Sequence, residues 1–437
     1  MRGRRFLCSC GAGSLPLGFS GSCEMPSFCR VDNDRNGAMD PRWVFAVIWV
    51  VFFMQGMGMG LWTPALTNIL GSMGLRDWVP WAFVVSPVCA LVSPLIGGAL
   101  ADQRVSANRL FVWSSVIGAI GLFAAFRVLE AGWHPLWFLG FLGMSSMAGG
   151  PAWGLLAMVS MSHLRHGERS FPLVRVGATV GWIAGGLITS HLLRADTSVL
   201  SGYASAGVRF AMAGAAMLLP LTLPLGRASS WKSRLGLDAF VLMKQRDHLV
   251  FFVVTALYSV PVTAIYMLAP EFLRVLGDPR PTGTMTIAQV LEIVSLIALG
   301  AMMTRLRVKT LLMCSLGLSV LRFAMSATAG WTGFIGWHLG GIALHGLCYT
   351  LYFITAQIFL DRRVDPSMRG QAQGLLAMVS SGLGPLMGAL LCGWLREHLV
   401  ADGVHGWGAF WMTLSAMAAL CFVIFGLFYR GRTKDPI

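Results

Sequence analysis

Between residues 43 and 429 the chain is a succession of apolar stretches, each near 20 residues long and separated by short polar breaks. A helix of that length crosses about 30 Å of hydrocarbon. Hydropathy with Gly and Pro punctuation predicts about twelve spans. Their limits are 43–70, 80–101, 109–130, 135–162, 172–193, 207–226, 248–273, 284–304, 309–329, 332–360, 370–396 and 406–429. The widest polar break, Gly226 to Asp247 with Lys232, Arg234, Lys244 and Arg246, divides the spans six and six. The expected molecule is therefore an all-α polytopic membrane protein. Its predicted parts are a six-helix half at 39–226, a cytoplasmic linker at 227–247, a second six-helix half at 248–430 and a tail at 431–437.

Charge fixes sidedness. The loops after even-numbered spans carry Arg104 and Arg109, Arg165 and Arg169, the central basic set, Arg305, Arg307 and Lys309, and Arg362, Arg363 and Arg369. The opposite loops offer Arg76, Arg194, Arg274, Arg280 and Arg396, with Arg127 and Arg209 expected at helix ends. Basic loops stay in the cytoplasm, so both termini are predicted inside. This accounts for the formal charge of +14 without invoking nucleic acid. Only 12% of residues are charged and 56% are hydrophobic, against roughly 25% charged in soluble chains.

Residues 1–38 hold Arg2, Arg4, Arg5 and four of the nine cysteines, but no sustained apolar core. The segment reads as a disordered tail, a poor signal-like sequence, or a mis-assigned start with translation beginning at Met39; the last is favoured. No disulfide framework or metal spacing is legible, and the cysteines in or beside the spans read as small packing residues. No cofactor is expected.

Glu292 lies inside the apolar run Met285–Gly300 and is the one carboxylate placed deep within a predicted span. At mid-bilayer a carboxylate costs at least ~2.5 kcal/mol even on lenient insertion scales, so it is paired, protonated or lining a cavity. Gln289, one helical turn earlier, shares its face. The pair reads as a polar solute or proton site; the alternative is a polar clasp on a neighbouring helix. Arg322, deep in span nine, is expected to pair with helix-end carbonyls. His345 titrates near neutrality or stays neutral and hydrogen-bonded.

The halves echo one another. A basic loop leads into span five with Gly177, Gly181, Gly185 and Gly186, and another leads into span eleven with Gly374, Gly382, Gly384 and Gly388. Glycines at such spacing let helices approach closely, and two related six-helix halves place a binding site between them near the midplane. This is the major facilitator architecture, and Gly98-Ala-Leu-Ala-Asp102 resembles a reduced form of that superfamily's loop motif.

Four further stretches resemble the nucleoside:proton symporter family, the bacterial nucleoside and xanthosine permeases. They are Phe171–Gly181, Leu237–Lys244, Gln289-Val-Leu-Glu292 and Arg369-Gly-Gln-Ala-Gln-Gly374. Leu321-Arg-Phe-Ala324 and the placement of Gln55 and Trp62 agree, and the similarity runs from about Val44 to Phe428. The resemblance implies substrate contacts at Arg175, Thr179 and Trp182 in span five, whose spacing also puts them on one helical face. It implies Gln289 and Glu292 in span eight. Span seven departs from the best-known members, with Thr263 and Tyr266 in place of Gln and Asn. In span ten the family's Tyr, Phe and Asp become His345, Tyr349 and Thr350, so a carboxylate is lost.

The resemblance thus implies a monomeric, proton-coupled nucleoside importer of the bacterial cytoplasmic membrane, working by alternating access, with Glu292 as proton carrier. The chemistry is compatible: Trp182, Tyr266 and Tyr349 offer surfaces on which a base stacks, and Gln289 both donates and accepts. Alternatives are a transporter of a sugar or nucleobase with altered or absent coupling, a non-transporting receptor, or an integral-membrane enzyme. No His, Asp or Ser cluster suggests catalysis, so an enzyme is not expected.

Overall fold

The computed structural model describes residues 41–164, 167–224, 237–364, 369–400 and 404–431. The expectations for residues 1–38, most of the linker and the carboxyl tail beyond Gly431 lie outside these residues, and the side chain of Asp102 in the loop motif is likewise outside what is described.

Among the described residues, ten helices have the length and apolarity to cross a membrane. They are α1 (Pro41–Ser72), α2 (Arg76–Gly98), α3 (Ala107–Glu130), α5 (Leu173–Leu192), α7 (Arg246–Met267), α8 (Pro281–Arg305), α9 (Val308–Thr332), α10 (Ile335–Leu360), α11 (Gln371–Leu399) and α12 (His405–Phe428). Two further elements complete the twelve-helix pattern. In α4, Pro151 separates Pro135–Gly149 from Ala152–His163. The other, α6 (Leu200–Ala216), is 17 residues long.

The sixth span is shifted from its expected limits of 207–226. Its hydropathy continues past residue 216, but Pro220 and Pro224 cannot extend a helix, and the helix starts earlier, at Leu200. Arg209 therefore lies in the middle of α6, not at its end. Its guanidinium donates to Ser145 Oγ of α4 at 2.9 Å, in space left by the absent side chains of Gly58, Gly118 and Gly149.

Glycine spacing sets the closest helix packing. A Cβ at Gly181 would overlap the Phe53 carbonyl, and one at Gly56 would overlap the Ala178 carbonyl, so α1 and α5 meet backbone to backbone. The corresponding pair is α7 with α11, where Gly384 and Gly388 face Ala256, Ser259, Val260 and Thr263. Contacts between the two sets of six helices run mainly through α5 on α8 and α2 on α11.

The apolar cores differ between the two ends of the bundle. At the end holding the α1–α2 and α7–α8 connections, one cluster joins both sets of helices, from Trp62, Ile69 and Phe126 to Phe272, Trp407 and Trp411. Toward the other end the cores separate, one around Phe52, Phe111 and Leu156 and the other around Phe251, Tyr352 and Phe425.

Polar bonds reinforce the joined end. Thr67 donates to the Met267 carbonyl at 2.5 Å, and Ser190 Oγ accepts from Gly283 N–H at 2.7 Å. Asp196, almost fully buried, accepts from Ser190 Oγ and from Thr282 N–H, both at 2.9 Å. Glu271 is gripped by Arg396 at 2.6 and 2.9 Å and lies 3.7 Å from Arg76 Nε.

Candidate functional site

The α5–α8 contact brings together the residues of greatest chemical interest. Steps of four and three residues put Arg175, Thr179 and Trp182 on one side of α5. Across the contact, the Thr179 hydroxyl donates to Glu292 Oε1 of α8 at 3.0 Å. The guanidinium of Arg175 stacks over the Trp153 ring of α4, 4.1 Å from its centroid. It also lies within electrostatic reach of Glu292 and of the Tyr349 hydroxyl of α10. Glu292 thus faces a cation and a hydroxyl from the opposite set of helices, a setting in which its charge state alters what holds the two sets together.

The aromatic wall comes from three helices. Trp182 meets Tyr266 of α7 edge to face, with centroids 5.6 Å apart. The Tyr266 hydroxyl is 2.8 Å from His345 Nε2 of α10, and the Tyr349 ring follows 6.1 Å from the His345 ring. The other ring nitrogen of His345, Nδ1, is bonded by Arg322 of α9. This corrects the expectation for Arg322, which pairs with an imidazole because α9 and α10 pack along their length and bring the two side chains together. Arg322 is 1% exposed, and its Nε and Nη2 have no partner among the described residues.

Gly346 positions these groups. A Cβ there would overlap the Ala288 carbonyl and the backbone of Glu292, so α8 reaches α10 beside His345 only because residue 346 is glycine. The sequence carried that signal in the spacing of small residues along span ten. Arg209 and Ser145, a third cation and its partner within the helices, were missed because the sixth span was placed too late in the chain.

Three expected residues stand differently. Gln289 is buried, and its Oε1 has no donor among the described residues. Thr350 is fully buried with an unpartnered hydroxyl, at the start of the π-helical turn Thr350–Ile354. Thr263 donates to the Ser259 carbonyl of its own helix at 2.9 Å and packs on Gly388 of α11. It has no hydrogen bond to the other expected residues. Among the described residues no group of three or more His, Cys, Asp or Glu is placed to hold a metal.

Twelve helices meeting around an interior carboxylate, cations and aromatics define a transporter of the major facilitator fold. A point mutant of the nucleoside transporter NupG shares that fold with a TM-score of 0.78 at 22% identity, over 89% of this chain and all of the other. The model of the family described as nucleoside H+ symporter matches residues 44–434, and the chain belongs to that family. Its relatives include YegT of Escherichia coli K12, 30% identical over 407 residues, which cover 88% of this chain and 93% of that protein. The xanthosine permease of the same organism is 28% identical over 399 residues, 86% of this chain and 93% of the permease.

Proposed function

We infer that the protein is a proton-coupled nucleoside transporter, acting as a monomer in the bacterial inner membrane with both termini in the cytoplasm. Membership of the symporter family supports this reading. The observation that carries it in the structure is the hydrogen bond from Thr179 to Glu292 across the α5–α8 contact. It makes the deep carboxylate part of the connection between two sets of helices that must separate during transport. Residues 39–226 and 248–430 act as the two rocking halves, the alternating-access arrangement expected of related halves around a midplane site.

Arg175, Thr179, Trp182, Tyr266, Gln289, Glu292, His345 and Tyr349 contact the nucleoside, with Thr263 and Thr350 at the margin. A proton enters on Glu292 from the outside and leaves to the cytoplasm. The test is uptake of a labelled nucleoside panel in cells lacking their own permeases, with and without a protonophore. Concentrative, protonophore-sensitive uptake is expected; binding without uptake would indicate a receptor. Thr350 at the family's carboxylate position favours a second reading, a changed solute. A labelled sugar or nucleobase carried in preference to every nucleoside would establish it.

On the same reading, the end closed by Asp196, Glu271 and the shared apolar cluster is the outer one, since the strongly basic loops lie at the other end. Opening outward must break the hydrogen bond from Thr282 N–H of the second half to Asp196 of the first. A hydrogen bond to a charged group contributes about 1.5–3 kcal/mol, so Asp196→Ala should shift the equilibrium toward the outward-open form roughly ten- to a hundredfold. In a cysteine-free background, Met285→Cys, a buried position, should then be labelled faster by an impermeant maleimide added outside. Unchanged labelling would show that the Asp196–Thr282 bond does not hold the outer end shut.

A further inference from the structure

We propose that Arg322 and His345 fix Tyr266 as a hydrogen-bond donor toward the solute, so that the site selects nucleosides with an oxo-substituted base over their amino counterparts. The inference rests on the nucleoside reading and extends it to a class of base.

A guanidinium has donors and no acceptor. Arg322 bonds His345 Nδ1, so Nδ1 is the acceptor and the imidazole is neutral, with its proton on Nε2. That Nε2–H faces the Tyr266 oxygen at 2.8 Å and donates to it. The phenol oxygen is thereby occupied as an acceptor, and its own proton is left over. The hydroxyl of Tyr266 has no other hydrogen-bond partner among the described residues. A hydrogen bond received from a chain that starts at a cation makes the phenol a better donor.

The orientation of that donor follows from its neighbours. The Tyr266 ring lies against Trp182 of α5, and its hydroxyl is within electrostatic reach of Glu292, Arg175 and Tyr349. It therefore belongs to the same interior space as the deep carboxylate. At this wall the resemblance placed a carboxylate, an acceptor, in span ten; the chain has Thr350 there. The wall made by α7, α9 and α10 presents a donor backed by a cation, and an incoming group there has to accept. An exocyclic oxo group accepts, whereas an exocyclic amino group brings a second N–H against the phenol proton. Sites built around one hydrogen-bonding sense discriminate strongly against ligands that cannot match it, because a buried polar group is left unpaired.

The test uses the purified full-length protein and calorimetric titration with two pairs that differ at one exocyclic position, uridine with cytidine and inosine with adenosine. The oxo member of each pair is expected to bind roughly tenfold or more tightly. Tyr266→Phe keeps the ring against Trp182 and removes the proton, so the ratio within each pair should fall to about one, by weaker binding of the oxo member. Arg322→Gln supplies an amide that accepts as well as donates. It no longer dictates the tautomer, and the ratio should shrink through tighter binding of the amino member. A loss of stability alone would weaken both members in parallel and leave the ratio unchanged, and that result in Arg322→Gln would remove Arg322 and His345 from the assignment. Equal affinities within each wild-type pair, or preference for the amino member, would overturn the proposal while nucleoside transport stands. Failure to bind any of the four would overturn the nucleoside reading and this inference together.

Discussion

Glu292→Gln should abolish concentrative uptake while leaving exchange of nucleoside across the membrane. The amide oxygen of Gln can still accept from Thr179, so the α5–α8 contact that Glu292 makes at 3.0 Å has a neutral replacement. What disappears is a group that gains and loses a proton within the cycle. One proton moving down a one-unit pH gradient releases about 1.4 kcal/mol, enough for a tenfold accumulation; in the variant the internal nucleoside should rise only to the external level. Counterflow of labelled against unlabelled nucleoside in proteoliposomes separates the two activities. A variant that still accumulates at the wild-type rate, with the gradient still collapsed by a protonophore, would remove Glu292 from proton carriage.

Trp182→Ala should weaken apparent affinity roughly five- to over a hundredfold. Base–aromatic stacking contributes ~1–3 kcal/mol, which corresponds to that range of affinity. Trp182 is half-buried and meets Tyr266 edge to face, so its removal exposes the ring on which the proposed donor sits. Trp182→Phe should recover much of the loss, because a ring face remains. Transport affinities for the two variants decide the matter. Equal impairment would mean that the residue serves through packing or its indole N–H, and wild-type behaviour in both would mean that this side of α5 does not line the nucleoside site.

Much of the fold was legible because the bilayer imposes a length on each apolar run and because basic residues gather in alternate loops. Where prediction slipped, the cause was local. The sixth span was read from hydropathy through Pro220 and Pro224, which moved Arg209 from mid-helix to a helix end. Arg175, Thr179, Trp182, Glu292, Tyr266, His345 and Tyr349 can be picked out of the sequence as candidates from the helical spacing in α5, the isolated carboxylate in α8 and the family resemblance, and the structure brings them together. The bonds among them could not be read in advance, since they join helices far apart in sequence, 113 positions for Thr179 and Glu292 and 79 for Tyr266 and His345. Arg322 was expected on backbone carbonyls because no acidic partner lay nearby in sequence. An imidazole on the next helix is equally able to accept from it, and only the packing of α9 on α10 reveals the pairing. Gly346 was overlooked for a related reason: a glycine signals close approach, but not which helix approaches.

In this mechanism nucleoside and proton cross together. The most direct measurement places the purified protein in proteoliposomes with no initial pH or electrical gradient, valinomycin and potassium on both sides, and a pH-sensitive dye outside. Adding a transported nucleoside should raise the external pH as protons enter with it, at a rate proportional to labelled nucleoside uptake and absent in Glu292→Gln. Nucleoside entry at full rate with no change in external pH would mean that the nucleoside crosses without a proton.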